Sequence, residues 1–517
     1  MPSPQGRTRT AGAASAPLPR GFGVEFDPAT RQLTDSILFG GAPARAMLLS
    51  EAGRGALTEL RAGPVESAAS GHLARRLTDA GMAHPRPPRL AAAPDVTVLI
   101  PVRDRPGLLA RCLEAAGRRY PVVVVDDGSV NGPAIAAVAA RHGATVLRQA
   151  ESGGPATARN AGLAAIGTEL VAFLDSDCVP PSDWIEELAA HLADPLVGAA
   201  APRIVEPGAA ESGAGRLGAS RYGAVRSSLD LGPAAARVMP MTRVAYVPTA
   251  ALLVRRAALD SVGPGGYPFD PALRYGEDVD LVWRLHDAGW RLRYDPAVEV
   301  RHAGPATWAG LVARRFRYGT SAGPLAHRHP RRLAPLVLQP WPAVAVAALL
   351  ARRPAAAALA TAASSVLLGR TVRRAGLPAT SVTAVDVTRA ALTSVRQTWL
   401  GTGRYATQFA APALAVALAA PGGRVGPRRW GRRAMVAALL LSPVLDSWRR
   451  VGRDPSRPGP GPLPFALGHI ADDIAYGAGV WAGCAAERTL APVIPQVSWR
   501  PLRVTRERNT ADGQHVV

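Results

Sequence analysis

A chain of 517 residues, 48% of them apolar, is long enough for two or three domains with a core that needs no staples. Its formal charge of +21 comes from arginine without a single lysine, scattered and without the aromatic interleaving of a base-stacking surface; this argues against nucleic acid as partner and leaves a compositional bias toward arginine or contact with anionic phosphates or lipids. Three cysteines far apart, Cys112, Cys178 and Cys484, exclude a disulfide framework and fit a reducing compartment.

Residues 1–20 are small, polar and proline-rich and predict a disordered tail. Positive charge there, with no apolar stretch behind it, predicts no secretory signal. From 21 to 90 the pattern predicts a strand over 32–39, a turn at Gly40 and Gly41, and two short helices carrying Leu57, Leu60, Leu73, Arg76, Leu77 and Met82. A loop over 84–88 closes this segment, whose size suits a winged-helix-like module.

Residues 95–330 alternate strand and helix. The β-branched run at 96–102 reads as a strand buried on both faces, followed by a helix over 106–119 with proline near its start. A second buried strand over 121–125 stops at Asp126 and Asp127, a third is short at 145–147, and Gly153 and Gly154 open a helix running to 166. A fourth strand, 170–174, stops at Asp175. This rhythm predicts right-handed crossovers, an α/β fold and a mostly parallel sheet.

Residues 333–500 are Ala-rich and helical, with apolar windows at 333–351, 355–368, 409–420, 434–445 and 474–486, and residues 501–517 read as a second disordered tail. Most windows fall below the roughly 20 residues that span a bilayer. Arg352, Arg353, Arg428, Arg429, Arg432, Arg433, Arg449 and Arg450 flank them. Two readings stay open: membrane-associated or re-entrant helices with cytoplasmic arginines, or buried helices of a helical domain. The expected location is the cytoplasm or the cytoplasmic face of the cell membrane.

Acidic groups stand where a doubly wound sheet places its site, beyond the carboxyl ends of strands. They are Asp126 with Asp127, Asp175 with Asp177 in an Asp-x-Asp pattern, and Glu277 with Asp278 at a helix start. This layout meets the needs of sugar transfer from a nucleoside diphosphate. The departing diphosphate calls for a divalent cation, Mg²⁺ or Mn²⁺, on carboxylate oxygens, and Asp175 and Asp177 can serve ribose and metal. A separate carboxylate must take the proton of the acceptor hydroxyl on the opposite face, which inverts the anomeric carbon. Asp278, with Glu277 beside it, is the candidate, and the helix N-terminus is expected to keep it ionised.

The segments Ile-Pro-Val-Arg-Asp at 100–104, Val-Asp-Asp-Gly-Ser at 125–129, Gly-Pro-Ala-Thr-Ala-Arg-Asn at 154–160, Leu-Asp-Ser-Asp at 174–177 and Gly-Glu-Asp-Val-Asp-Leu at 276–281 resemble the successive signatures of the inverting GT-A glycosyltransferases that include cellulose and hyaluronan synthases. The resemblance covers about 95–320 and implies a Rossmann-like mixed sheet flanked by helices. It also implies that Asp126 or Asp127 reads the nucleotide base, that Arg159 touches base or diphosphate, that Asp177 and His302 bind the metal, and that Asp278 is the base. Where processive members carry Gln-x-x-Arg-Trp, this chain has Arg314, Arg315, Phe316, Arg317 and Tyr318. The aromatic planes can stack on a sugar and Arg317 can pair with the diphosphate, while Arg for Gln and Tyr for Trp depart from the processive pattern and leave short oligosaccharide addition open. On residues alone, a basic amphipathic helix meeting lipid headgroups is the other reading of this stretch.

A likeness over the whole chain is closer still. Leu-Phe-Gly-Gly at 38–41, Leu-Leu-Ser-Glu-Ala-Gly at 48–53, Leu-Ala-Arg-Arg-Leu at 73–77 and Ala-Gly-Met-Ala-His-Pro at 80–85 are similar to the small peptide-recognition domain of enzymes that mature ribosomal peptides; a plain winged-helix packing domain is the alternative. Joined to the core and to Arg-Tyr-Gly-Thr-Ser-Ala at 317–322, they resemble the mycofactocin biosynthesis glycosyltransferases of actinobacteria. That likeness implies β-linked glucose added from UDP-glucose to a peptide-derived redox cofactor precursor. The competing expectations are a membrane polysaccharide or glycolipid glycosyltransferase and a peptide-binding adaptor without catalysis.

Overall fold

The computed structural model describes residues 16–206, 218–263, 267–374, 382–419, 427–451, 459–498 and 503–506. They fall into two units, one drawn from 1–205, 228–303 and 503–517, the other from 206–227 and 304–502.

The first unit begins with β1 (Gly23–Phe26), β2 (Arg31–Thr34), β3 (Ile37–Gly40), β4 (Arg45–Leu48), α1 (Glu51–Ala62), α2 (Ala68–Ala80) and β5 (Ala83–Arg86). The single strand expected over 32–39 is a hairpin, because the Ser36 N–H turns back onto Thr34 Oγ1 at 3.3 Å and β2 pairs antiparallel with β3. The loop expected at 84–88 is mostly strand, with β5 antiparallel to β1. Helix α1 starts where Ser50 Oγ accepts the Gly53 N–H, and α2 where Ser67 and Ser70 form a reciprocal capping box. Their apolar stripes, Leu57 and Leu60 on one and Leu73 and Leu77 on the other, bury against Phe22, Leu38 and Met47. Residues 16–20 depart from the expected disorder: Leu18 is fully buried and its N–H donates to Gly71 O at 2.9 Å. Residues 1–15 of that tail lie outside the described residues.

The larger part of this unit contains β6 (Val96–Val102), α3 (Pro106–Ala116), β7 (Val122–Asp127), α4 (Gly132–Arg141), β8 (Thr145–Gln149), α5 (Gly154–Ala164), β9 (Leu170–Leu174), β10 (Cys178–Val179), α6 (Trp184–Leu192) and β11 (Val197–Val205). After α7 (Gly218–Arg226), which belongs to the second unit, come β12 (Ala236–Arg237), β13 (Ala251–Arg255), α8 (Arg256–Asp260), α9 (Glu277–Asp287) and β14 (Arg291–His302). The sheet order is β8-β7-β6-β9-β13-β11-β14-β10, with β12 also on β14. Strands β6 to β9 are parallel as the alternation predicts, whereas β13 runs antiparallel to both β9 and β11, so the sheet is mixed. This is the GT-A arrangement. Helix α5 lies so close to the sheet that a Cβ at Gly162 would come within 2.6 Å of Leu99 Cδ1.

The second unit joins α7 to α10 (Trp308–Thr320), α11 (Ala322–Arg328), β15 (Val337–Leu338), α12 (Pro340–Leu350), α13 (Pro354–Arg374), α14 (Ala384–Ala419), α15 (Pro427–Val451), α16 (Pro462–Ala486) and β16 (Gln496–Val497). Helices α10 and α16 touch backbone to backbone, since a Cβ at Gly319 would fall 2.3 Å from Tyr476 O and one at Gly479 2.0 Å from Phe316 O. Helix α16 also carries buried charge: Asp472 meets Arg315 at 2.6 Å and Asp473 meets Arg404 at 3.0 Å. Among the described residues one helix, α13 with 21 residues, is long and apolar enough to cross a membrane, and most of it is exposed. Within the tail expected at 501–517, β17 (Arg503–Arg506) of the first unit is a strand parallel to β4; residues 507–517 lie outside the described ones.

Candidate active site

Three loops at the carboxyl ends of β6, β7 and β8 are tied together by short polar bonds. Asp104 turns into the left-handed region, φ 54°, where Asp is tolerated. Its N–H donates to Ser129 Oγ at 2.9 Å and its Oδ1 accepts from the Val130 N–H at 2.7 Å. Asp126 is buried, accepting from the Ser129 N–H at 2.9 Å and from Arg148. Asp127 accepts from the Gly153 and Gly154 N–H groups at 2.8 and 3.1 Å and from Ser152 Oγ at 2.8 Å. Both carboxylates of the Asp126-Asp127 station therefore hold loops in place. Arg148 and Ser152, which hold them, were not singled out from the sequence.

The second station divides its work. Asp175 Oδ1 accepts from Arg159 Nη2 at 2.8 Å. Asp177, two residues on, accepts from Arg105 Nη1 at 2.8 Å and lies 3.5 Å from His302 Nε2. The pairing of β10 with β14, with Cys178 opposite His302, creates this last approach across 125 residues of chain separation. His302 is buried, and its Nδ1 has no hydrogen-bond partner among the described residues. A carboxylate oxygen and an imidazole nitrogen this close can both ligate one divalent cation. Among the described residues no group of three or more His, Cys, Asp or Glu is arranged to hold a metal. Asp177 and His302 could supply two ligands to such a cation.

The third station begins α9. Glu277 is buried and accepts from Arg159 Nη1 at 2.9 Å, so one guanidinium bridges Asp175 and Glu277 while lying 5.6 Å over the Phe269 ring. Burial works against the Arg159 charge, but Asp175 and Glu277 outweigh it and raise its pKa. Burial raises Glu277 and Asp175 above the usual carboxylate range against the pull of Arg159. Asp278 is pushed up to about 7, first by burial and then by the Glu277 charge, although its Oδ1 accepts from the Val279 N–H at 2.7 Å. This corrects the sequence argument that the helix start keeps Asp278 ionised. The N-terminal field is a surface-strength effect of under about 2 kcal/mol, and burial together with the Glu277 charge outweighs it.

Arg314, Arg315, Phe316, Arg317 and Tyr318 lie on α10 in the second unit. Arg314 is held by Glu206 at 2.7 Å; Arg315 is held by Asp472 and lies 5.0 Å over Tyr476. Both are largely buried by these contacts. Phe316 and Arg317 are exposed, and Tyr318 is half-buried. The structure thus brings together Arg159, Asp175, Glu277 and Asp278 on one side and Asp177 with His302 on the other.

Comparison with known proteins is consistent across much of the chain. The sequence model of Glycosyl transferase family 2 matches residues 97–260, which include Asp126, Asp127, Arg159, Asp175 and Asp177 and stop short of Glu277, Asp278 and His302. A pre-mycofactocin glycosyltransferase of Mycobacterium tuberculosis is 40% identical over 489 residues, 93% of this chain and 98% of that relative. Glycosyltransferase AglE of Haloferax volcanii is 29% identical over 44% of this chain and 72% of its own. Among solved structures, a mannosyltransferase from Pyrobaculum calidifontis in complex with GDP-Man and Mn²⁺ aligns at 20% identity, covering 69% of this chain and 91% of its own with a TM-score of 0.34.

Proposed function

The chain belongs to the family of the pre-mycofactocin glycosyltransferases and is itself a glycosyltransferase, and on that premise we propose that it moves glucose from UDP-glucose, with inversion, onto a peptide-derived redox cofactor precursor. The product is a β-linked glucoside, extended to a short oligosaccharide on the mycofactocin precursor.

The observation that carries the reading is the 40% identity to a pre-mycofactocin glycosyltransferase over 93% of this chain, and Asp278 at the start of α9 is the proposed base. An ionised Asp278 takes the proton from the acceptor hydroxyl, and the oxygen forms its bond to the anomeric carbon as the bond to the diphosphate breaks on the opposite face. The nucleoside diphosphate leaves with the electron pair. Asp177 and His302 would hold a divalent cation, which would supply charge neutralisation for that diphosphate. Asp126, Asp127 and their loops hold the base, Arg159 and Asp175 fix the donor end of the site, and Glu277 tunes Asp278. Phe316 and Tyr318 of α10 are proposed as aromatic planes for a sugar ring and Arg317 as a partner for an anionic group. Arg314 and Arg315, engaged by Glu206 and Asp472, are proposed to serve the acceptor by fixing α10.

Purified enzyme, Mn²⁺, the peptide-derived acceptor and a panel of sugar nucleotides test this reading by mass spectrometry of the product. Successive hexose increments with UDP-glucose are expected. Label from radioactive UDP-glucose appearing in the organic phase of a lipid extract would replace it with the glycolipid reading, and acceptor binding without UDP release with the adaptor reading. The metal assignment has its own expectation: chelation abolishes transfer, and His302→Ala raises the Mn²⁺ concentration for half-maximal rate by on the order of 10–100-fold. An unchanged Mn²⁺ requirement would remove His302 from the metal site. The exposed, apolar α13 is the feature that a membrane-associated reading of location rests on.

A further inference from the structure

Where α2 meets β14 in the first unit, away from the carboxylates of the mechanism, lies a group of buried arginines. Arg75 of α2 forks onto Asp194, Nη1 to Oδ2 at 2.6 Å and Nη2 to Oδ1 at 2.8 Å. Arg291 of β14 forks onto Asp79 in the same way, at 2.7 and 2.6 Å. Both carboxylates therefore have each oxygen engaged. Arg237 of β12 reaches the backbone carbonyl of Asp79, and its buried Nε has no partner among the described residues. Arg293 is 2% exposed, and its Nε, Nη1 and Nη2 all lack a hydrogen-bond partner among the described residues.

The nearby acids cannot relieve Arg293. Asp295, on the same face of the strand, is taken by His191 Nε2 at 2.8 Å, and Asp27 by His84 at 3.0 Å. Among the described residues, four guanidinium groups thus face two carboxylates. An unpaired charge in a protein interior is among the most expensive arrangements a fold can hold, and a water molecule satisfies hydrogen bonds without supplying the missing charge. Loss of the proton is no escape. Burial, then the Arg237 and Arg75 charges, push Arg293 down only to about 10 against the pull of Asp79 and Asp194, so it stays charged at neutral pH.

We propose that this cluster is a binding site for a small inorganic anion, a halide or an oxyanion, held by Arg293 and Arg237. The planar guanidinium fork suits oxyanion geometry, and the near-complete burial of Arg293 limits the occupant to a small ion. The bound anion ties α2, through the Arg237 and Asp79 contacts, to β14, the strand that ends in His302. Docking of the amino-terminal part on the catalytic sheet is thereby anion-dependent.

Thermal unfolding of the full chain at constant ionic strength tests the site, with chloride or phosphate replacing a bulky organic sulfonate. The melting temperature is expected to rise saturably, by on the order of a few degrees. The Arg293→Met variant, freed of its buried charge, is expected to match or exceed the wild type in sulfonate and to lose the saturable response. Wild-type melting that is equal in all anions, or a response retained in full by Arg293→Met, would overturn the proposal. A direct readout on the wild type guards against a variant that fails to fold: crystals grown with bromide as the only small anion should show an anomalous peak beside Arg293, and its absence would also overturn the site.

Discussion

Replacing Asp278 with Asn is expected to lower kcat by about 10²–10⁴-fold, the size of a lost general base, while leaving UDP affinity nearly unchanged. The side chain keeps its shape and its acceptor oxygen for the Val279 N–H, so only the capacity to take a proton is removed. The pH profile carries a second signature. With Asp278 pushed up to about 7, wild-type kcat/KM should fall about tenfold per pH unit below that value and level off above it. Stability moves the other way. The folded pKa lies above the unfolded one, so the ionised group costs stability as pH rises from the ordinary carboxylate range through about 7. Asp278→Asn removes that cost and should melt at or above the wild type under alkaline conditions, the difference closing in acid. Equal turnover in the variant would remove Asp278 as the base.

The positions of Asp126, Asp127, Asp175 and Asp177 were legible because chain order sets them: in a run of parallel β6, β7 and β9, residues that end or follow a strand must stand at its carboxyl end. Their partners were not. Arg159 and Glu277 are 118 residues apart, and neither local periodicity nor capping chemistry says that one guanidinium will bridge two stations. The raised Asp278 pKa was missed for the same reason, since helix-start reasoning sees the backbone of α9 and not the burial of Glu277 beside it. The antiparallel β13 also escaped, because strand alternation past residue 174 gives no direction of travel. Arginines that looked like compositional scatter include Arg291 and Arg293, at the period of a strand in β14. That spacing was a usable signal for a charged inward face, and the meaning of the face came only with Asp79 and Asp194 in place.

Arg159→Met is expected to cost stability on the order of 3–5 kcal/mol, as removing one partner of a buried ionic group does. Met fills much of the arginine stem's volume and can still lie against Phe269, so the loss is assignable to charge rather than to a cavity. Asp175 and Glu277, whose pKa values burial already raises, lose the strongest influence that opposes it and should titrate higher still. The destabilisation should therefore be largest at alkaline pH and shrink as pH falls and both carboxyls take up protons. Urea titrations across pH would show this. Arg159→Lys should rescue little, because a single ammonium cannot reach Asp175 and Glu277 with separate forked donors. Glu277→Gln combined with Arg159→Met should be less destabilised than the sum of the single variants, the mark of direct coupling. The same loss reaches catalysis. Arg159 also draws the Asp278 pKa down, so in Arg159→Met the acid limb of the rate profile should move to higher pH. A variant that lost stability with its acid limb unmoved would separate Arg159 from the base and leave it a purely structural bridge.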